Sequence, residues 1–432
     1  MKRIKIIGGG LAGCEAAYQL LKKGYAVDMY EMRPKVQTAV HKTDMLCELV
    51  CSNSLKSADE STSQGALKYE LELLDSLILK TAKRNCVPAG GALAVDRHEF
   101  SKGVEKELLN FDNFNLIREE CKEIDDWTIV ASGPLTSKEL ADQIEKLLGH
   151  RHLAFYDAVA PIVEYSSIDR EKTFVMGRYG KGNDYLNCPL SKEEYLEFVR
   201  ELAAAERVID KEFEKSDFFN ACMPIEVMAK RGEDTLRFGS FRPVGLIDPS
   251  NGKMPYAVLQ LRKEDNYNKL YNLVGCQTNM KFGEQKRVFG IVPALKNAEF
   301  VRYGVMHRNT FINSPMTLNK DFSLKTNPKV FFAGQITGVE GYMESCMSGL
   351  IAAKSLMRRY ENKESIVPDE YTMIGSLLNY ITTKKQDFQP MHASFSLVPP
   401  LNERIRNKKE RKAAYTKRAV ENIKEYIIQL ER

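Results

Sequence analysis

Cys222 is the residue whose setting in this sequence best suits nucleophilic chemistry. It lies in the segment Ala221–Gly232, in which Pro224 fits the first helical position and Gly232 the position past the helix end. Glu226, in the first turn, complements the helix dipole. A cysteine just before a helix N-terminus is favoured as a thiolate, so this pattern predicts a reactive thiol. The alternative is a small buried hydrophobic residue, which is the commonest role of a free cysteine.

The N-terminal segment Ile4–Glu31 has the pattern of a dinucleotide-binding strand–helix–strand unit. An apolar run, Ile4–Ile7, predicts a buried strand, and a second strand, Ala26–Tyr30, ends at Glu31. The glycines between them match the motif G-x-G-x-x-G at Gly8, Gly10 and Gly13. The first glycine allows a tight turn, the second lets a pyrophosphate approach the backbone, and the third packs the helix on the strand. Glu31 is placed to bind ribose hydroxyls.

A second segment favours FAD over NAD as the dinucleotide. Val330–Glu344 reads as a late strand, a glycine turn and the start of a long helix. Flavoproteins use such a segment to close over the flavin. The glycine motif also begins almost at Met1, and Glu31 ends the second strand, as in FAD-binding folds.

Cys51 is a second candidate for chemistry. It lies in Val50–Ser54, a polar turn soon after the strand–helix–strand unit, and Cys47 precedes it by four positions. Flavin disulfide reductases carry a redox-active cysteine pair in a comparable region, usually with four residues between the cysteines, whereas three stand between them here. The pair therefore predicts either a redox dithiol or a buried structural pair.

Two ring-bearing residues are candidates for contact with a planar ligand. His307 lies in a polar and aromatic stretch, Tyr303–Thr310, which favours a ligand-facing ring over the more common structural histidine. Tyr342 lies at the start of the helix that follows the late glycine turn, where an aromatic side chain can cover a ring.

Composition limits the class of protein. The 432 residues are 43% hydrophobic and 28% charged, which indicates a globular chain with room for two or three domains. No apolar run reaches the length of a membrane span, and the N-terminus enters the first strand directly, so we expect neither a membrane anchor nor a signal peptide. Nine scattered cysteines predict a reducing, cytoplasmic location. We expect no metal site, because there is no C-x-x-C pair and the histidines do not cluster with cysteines.

The C-terminal segment carries the net charge. Residues 401–432 contain ten Lys/Arg and five Asp/Glu, a balance of +5 that equals the formal charge of the whole chain. The cations of its first part are Arg404, Arg406, Lys408, Lys409, Arg411, Lys412, Lys417 and Arg418. They predict either a solvated helix face or a patch that contacts phosphates.

The order of the elements predicts an α/β fold. We expect a Rossmann-like, glutathione-reductase-type FAD-binding domain in two parts, residues 1–135 and 286–432, with an inserted α+β substrate or RNA domain at 136–285. A buried strand at Thr128–Pro134 returns the chain to the first sheet. Other predicted elements are one periodic helix at Gly65–Thr81, a strand at Tyr156–Glu164, a loop at Gly177–Pro189 and a helix at Lys192–Ala205.

Taken together, these segments resemble the TrmFO family of flavin- and folate-dependent tRNA (uracil-5-)-methyltransferases. The resemblance runs from Ile4 to about Leu401. The longer tRNA-modifying flavoprotein GidA is similar in the FAD segments. The segments that carry the TrmFO resemblance are Gly8–Gly13, Tyr30–Pro34, Glu48–Leu55, Pro88–Arg97, Tyr156–Glu164, Cys222–Gly232, Arg302–Phe311, Phe332–Glu344 and Phe388–Pro399.

The resemblance implies roles for individual residues. Cys222 matches the nucleophile of the family, Cys51 its second essential cysteine, and His307 the histidine that stacks on the folate pterin. Tyr342 falls in the Gly-Tyr motif of the flavin site. The matched segments also imply that the cofactor is bound by Gly8, Gly10, Gly13, Glu31, Arg33, Gly334 and Gln335.

The resemblance also implies a reaction. The uracil C5 of an RNA, with U54 of the tRNA T-loop as the expected target, receives a methyl group from 5,10-methylenetetrahydrofolate, with FAD and NADPH or NADH as reductant. Because a paralogue within the family acts on ribosomal RNA, a uridine of 23S rRNA is the alternative target. No obligate protein partner is implied. A flavin-dependent disulfide reductase using Cys47 and Cys51 is the alternative from another class.

Overall fold

We describe the fold from a computed structural model, which describes residues 3–38, 40–149, 153–180, 182–208, 223–265, 267–385 and 388–431. The strands are β1 Ile4–Ile7, β2 Val27–Tyr30, β3 Ser54–Ser57, β4 Cys86–Val87, β5 Ala92–Val95, β6 Phe114–Ile117, β7 Thr128–Val130, β8 Leu153–Ala158, β9 Ile162–Glu164, β10 Phe174–Val175, β11 Tyr185–Leu190, β12 Ala257–Lys263, β13 Leu270–Leu273, β14 Phe300–Arg302, β15 Met306–Phe311 and β16 Val330–Phe332. The helices are α1 Leu11–Lys22, α2 Ser63–Leu73, α3 Leu77–Arg84, α4 Arg97–Leu109, α5 Lys138–Leu148, α6 Lys192–Ala204, α7 Ile225–Lys230, α8 Thr235–Phe238, α9 Phe282–Phe289, α10 Ser314–Thr317, α11 Tyr342–Tyr360, α12 Met373–Thr382 and α13 Lys408–Glu431.

A parallel five-stranded sheet forms the first layer, in the order β16-β7-β1-β2-β6. Its central strand, β1, pairs in parallel with β2 and with β7, and its Ile4 and Ile6 side chains have no exposed surface. Short apolar strands of this kind suit a parallel sheet, because helices cover both of its faces. The predicted α/β class is confirmed, and the second strand begins at Val27, one residue later than predicted.

Helices α1 and α11 pack against each other beside this sheet at very short range. A Cβ atom built on Gly349 of α11 would lie 2.1 Å from the carbonyl oxygen of Ala12 in α1. Only a glycine allows two helix backbones to approach this closely. The segment Val330–Glu344 therefore forms the strand, glycine turn and helix start that the sequence predicts, directly against the first helix.

An antiparallel six-stranded sheet forms a second layer, in the order β10-β11-β12-β13-β9-β14. Its apolar side chains pack with α6 and α9 into a separate core whose members run from Val163 to Ala298. Helix α6 begins with a capping box, in which the Ser191 hydroxyl and the Glu194 carboxylate each accept from the other residue's backbone N–H. The helix predicted at Lys192–Ala205 is thus present, one residue shorter at its C-terminal end.

The two-stranded ribbon of β8 and β15 connects the two layers. Val159 donates to the Val305 carbonyl on the side of the second sheet, and Thr310 donates to the Pro134 carbonyl on the side of the first. The domain boundaries at 135/136 and 285/286 stay a prediction. Leu140 of α5 belongs to the first core, and the second core continues to Ala298.

Three predicted elements differ from the structure. The single helix predicted at Gly65–Thr81 is wrong: the chain forms α2 and α3, because Asp75 adopts a φ of 65° and Ser76 caps α3 by accepting from the Leu79 N–H. The stretch Tyr156–Glu164 contains parts of two strands, β8 and β9, rather than one. The last part of the loop predicted at 177–189 is wrong, because residues 185–189 belong to β11 and pair antiparallel with β12.

The contact of α11 with α1 predicts a position-specific response to added volume. Gly349→Ala should lower the free energy of unfolding by about 1–3 kcal/mol, because the new methyl group collides with rigid backbone. Gly283→Ala is the matched control, since Gly283 lies in the exposed face of α9 with nothing within 4 Å of the added Cβ atom. That control should be neutral or stabilising by up to about 1 kcal/mol. Denaturant unfolding measures both, and equal stability of the two variants would contradict the close contact.

Candidate functional site: a cleft at the glycine turn

The turn between β1 and α1 has the shape that an approaching phosphate requires. Gly8 has a φ of 108°, and a Cβ atom on it would lie 2.4 Å from the Ala131 carbonyl oxygen. A Cβ atom on Gly13 would lie 2.0 Å from the Gly8 carbonyl oxygen, so this residue sets the contact of helix with turn. Gly10, by contrast, is the N-cap of α1, makes no side-chain cap hydrogen bond and has open space where its Cβ would be. The N-terminal amides of α1 thus face open space that suits an anion.

Glu31 stands at the end of β2 as a buried carboxylate. Its Oε2 accepts from the Gly9 N–H at 3.0 Å, and its Oε1 accepts from Arg33 Nε at 2.8 Å. Burial acts to raise the pKa of Glu31, but the hydrogen bonds from Arg33 and Gly9 outweigh it and hold this pKa below its ordinary value. Arg33 also pairs with Glu48 at 3.2 Å. Glu31 is therefore an ionised acceptor, which suits hydroxyl donors such as those of a ribose.

A cleft of about 1030 Å³, open to solvent, joins these features to the late glycine turn. It runs from the phosphate turn past Glu31 and Arg33 to the start of α11. Seven of the predicted cofactor residues line it: Gly8, Gly10, Glu31, Arg33, Gly334, Gln335 and Tyr342. The structure thus brings together residues from both ends of the chain in one elongated space.

The late glycine turn is held from behind by α11. Gly334, at a φ of 83°, donates its N–H to Ser348 Oγ at 2.6 Å, and a Cβ atom on it would lie 3.1 Å from the Ala12 side chain. The Gln335 amide donates to Glu340 Oε2 at 2.7 Å. These contacts fix the wall of the cleft that faces the phosphate turn.

Tyr342 holds the turn that contains Cys51. Its hydroxyl oxygen accepts from the Cys51 N–H at 2.8 Å and from the Ser52 N–H at 3.2 Å. Burial, and secondarily the nearby Cys51, raises the pKa of Tyr342 far above its ordinary value. The ring lines the cleft together with Val50, and the neutral phenol holds the half-buried Cys51 that follows Val50 in the chain.

Cys47, unlike Cys51, has no access to solvent. It is fully buried, and its N–H donates to the Gly9 carbonyl at 2.9 Å. Burial, followed by the neighbouring Cys14 thiol, raises the pKa of Cys47 well above its ordinary value. Among the described residues, neither Cys47 nor Cys51 is part of a disulfide. Of the two interpretations of this pair, the buried structural role suits Cys47, which lacks the access that a dithiol reductase needs.

Comparison with known proteins assigns the chain to a family. A family model described as Glucose inhibited division protein A matches residues 3–364. Curated relatives named methylenetetrahydrofolate–tRNA-(uracil-5-)-methyltransferase TrmFO include one from Listeria innocua, 53% identical over 99% of this chain and 100% of its own length. Another, from Fusobacterium nucleatum, is 51% identical over 99% of both chains. The chain belongs to the TrmFO family.

The fold of this TrmFO family member is shared with a solved structure of much lower sequence identity. The structure of Aquifex aeolicus GidA superposes with a TM-score of 0.70 at 15% identity, covering 98% of this chain and 73% of that one. Identity at this level shows a shared fold alone. It agrees with the two-layer architecture and the parallel sheet described above.

Two predicted residues of this TrmFO chain, Cys222 and His307, remain to be placed. Cys222 lies outside the described residues, and so does the link that leads to it from residue 208. The helix after it, α7, begins at Ile225. Pro224 is therefore the N-cap, whereas the sequence predicted it as the first helical residue. His307 is in β15, where its backbone pairs with that of Asp157.

The basic C-terminal segment forms α13 together with the chain that leads into it. Lys408, Lys409, Arg411 and Lys417 are exposed. Arg418 instead turns inward: it donates to the Pro399 and Pro400 carbonyls and lies 4.8 Å from the ring centre of Tyr371. The helix therefore has an exposed cationic face, and Arg418 is not part of it.

Three arginines next to the site were not predicted from the sequence. Arg97, Arg262 and Arg302 all reach the Cys51 turn. The sequence around Arg262 could have identified it, because a cation within an apolar strand such as β12 needs a buried partner. In the structure Arg262 is only 7% exposed. Among the described residues, no group of His, Cys, Asp and Glu could hold a metal, and no helix is long and apolar enough to cross a membrane.

The open space at Gly10 allows a test that separates cofactor binding from folding. Gly10→Val should abolish binding of a flavin dinucleotide and leave the fold intact, because the added side chain meets ligand but no protein atom. Flavin absorbance of the purified protein and its circular dichroism spectrum measure the two effects. Gly91→Val, at an exposed position that is equally open, should keep the flavin. Full flavin absorbance in the Gly10 variant would rule out the phosphate turn.

Proposed function

We propose that this protein methylates C5 of a uracil in tRNA, with 5,10-methylenetetrahydrofolate as one-carbon donor and FAD with NADPH or NADH as reductant. The observation that carries this proposal is identity above 50%, over the full length, to relatives named for this methyl transfer. The cleft supports it, since two glycine turns from opposite ends of the chain line it, as a dinucleotide site requires. The expected target is U54 of the T-loop, and a uridine of 23S rRNA is the alternative.

The residues of the cleft fit FAD. The amides at the start of α1 would receive the pyrophosphate beside Gly10, and the Glu31 carboxylate would accept from the ribose hydroxyls. Gly334 and Tyr342 line the part of the cleft toward the isoalloxazine ring. When bound, the flavin supplies the hydride that completes the methyl group, and the nicotinamide nucleotide restores it.

Two cysteines have separate tasks in this proposal. The Cys222 thiolate adds to uracil C6, which makes C5 an enolate carbon able to take up the one-carbon unit. Once the one-carbon unit is bonded to C5, loss of the C5 proton to a base would expel the folate nitrogen from that carbon. Hydride addition to the same carbon would then complete the methyl group and expel the sulfur from C6, which restores the aromatic ring and the free thiolate. Cys51, held beside the cleft by Tyr342, is placed for the proton transfer at the flavin side. His307 stacks on the folate pterin.

The RNA must present its base to this cleft and its backbone to the protein surface. The target uracil leaves its stack, as base-modifying enzymes generally require. The exposed cations of α13, Lys408, Lys409 and Arg411 among them, suit phosphate contacts. The proposal needs no obligate protein partner, and it places the protein in the cytoplasm, where tRNA and reduced folate are found.

One assay tests the reaction and its target. The purified protein is incubated with methylenetetrahydrofolate, NADPH and an unmodified tRNA transcript, and 5-methyluridine is measured by nucleoside mass spectrometry. Methylation that disappears when U54 is replaced by cytidine supports the proposal. Methylation of 23S rRNA fragments but not of tRNA would favour the alternative target. NADPH-dependent reduction of a small disulfide, without methylation of either RNA, would identify a reductase.

A second experiment assigns the cysteines. With a 5-fluorouridine-containing tRNA, the wild-type protein should form a covalent adduct that survives denaturation, because loss of the C5 substituent is blocked. Cys222→Ala should lose both the adduct and turnover. Cys51→Ala should lose turnover only. An adduct that persists in Cys222→Ala and vanishes in Cys51→Ala would reverse the two roles, and flavin absorbance checks that each variant remains folded.

A further inference from the structure

The Cys51 turn is held by side chains that come from distant parts of the chain. Arg97 Nη1 donates to the Leu49 carbonyl at 2.7 Å, and Arg302 Nη2 donates to the Val50 carbonyl at 2.6 Å. Tyr342 accepts from the two N–H groups that follow, as described above. The turn is outside regular secondary structure, so these anchors replace the ladder bonds that a strand would supply.

Arg262 completes the set of anchors on the C-terminal side of Cys51. Its Nη2 donates to Ser52 Oγ at 2.8 Å, and its Nε donates to Asn53 Oδ1 at 3.0 Å. The Asn53 amide in turn donates to the Lys263 carbonyl at 2.9 Å. The turn is thereby joined to strand β12 through two consecutive side chains.

The anchors cross between the two layers of the fold. Arg97 opens α4, whose apolar residues belong to the core of the parallel sheet. Arg262 lies in β12 and Arg302 in β14, both strands of the antiparallel sheet. Cys51 therefore takes its position only where the second sheet is docked against the first domain.

The charges around the turn do not balance. Within ion-pair distance the three arginines face a single carboxylate, that of Glu264, which Arg97 Nε contacts at 2.7 Å. Arg262 and Arg302 form no ion pair among the described residues, and Glu48, whose charge acts on Arg302, is paired with Arg33. Burying unpaired guanidinium groups is costly. A negative charge that forms at the turn would offset this cost.

We propose that Arg262 and Arg302 are positioning residues through which the antiparallel sheet completes the active site, holding the Cys51 turn and favouring its sulfur as a thiolate. Arg97 acts with them, and its charge interacts directly with Cys51. Among the described residues, the Arg97 guanidinium and the neutral Tyr342 phenol interact electrostatically with Cys51. Arg262 and Arg302 hold the residues on either side of it, and the Glu264 carboxylate is paired with Arg97. The proposal deepens the proposed function by assigning how one of its two cysteines is made reactive.

Alkylation of the flavin-loaded protein by iodoacetamide, followed by peptide mass spectrometry, tests the proposal without RNA. Arg302→Gln should slow alkylation of Cys51 at neutral pH by about tenfold, since a nearby cation favours a thiolate by at least that factor. Its pH dependence should move to higher pH, and Arg302→Lys should restore most of the rate. Cys86, an exposed thiol, is the internal control and should react equally in all variants.

Glu264→Gln separates electrostatics from structural support. It removes the one carboxylate that faces the three arginines but keeps the shape of the side chain, so alkylation of Cys51 should become faster and move to lower pH. This variant also tests the proposal by itself if Arg302→Gln does not bind flavin. Unchanged Cys51 reactivity in Arg302→Gln, or slower reaction in Glu264→Gln, would overturn the proposal. Failure of methylation with the expected alkylation rates would count against the proposed reaction instead.

Discussion

The contact between α1 and α11 is the constraint on which the cleft depends. At their crossing, Gly349 faces the Ala12 carbonyl with room for a hydrogen atom only. Because α1 begins at the phosphate turn and α11 begins at Tyr342, the crossing sets the distance between these two helix starts. The cleft lies between them. A side chain at Gly349 would separate the helices and, with them, the two walls of the site.

The balance of buried charge differs between the β2 end of this cleft and the turn that contains Cys51. At the β2 end, one guanidinium, that of Arg33, faces the carboxylates of Glu31 and Glu48, so negative charge is in excess and hydroxyl donors are suited. At the Cys51 end, arginines outnumber carboxylates, which suits an anion. Both clusters carry the desolvation cost of buried ions. The excess charge is therefore negative beside Glu31 and positive at the Cys51 turn.

The antiparallel sheet contributes to this site through two strands and a ribbon. β12 and β14 bring arginines to the Cys51 turn, and β15, which carries His307, leaves the same region toward the parallel sheet. The second layer thus supports the Cys51 turn with side chains from its own strands.

The sequence by itself determined the elements whose causes are local. The phosphate turn follows from an apolar run and three spaced glycines, and α6 follows from its own capping box and periodicity, because each interaction spans few residues. Only the tertiary structure decided that α2 ends and α3 begins near Asp75, since Glu15 of a distant helix accepts from the Ile78 N–H at 3.1 Å and from Ser76 Oγ at 2.8 Å. The Cys51 turn has the same origin. Its anchors lie 48 to 291 positions away in the chain, and no local periodicity or motif records a hydrogen bond between residues that meet only after the two sheets have packed.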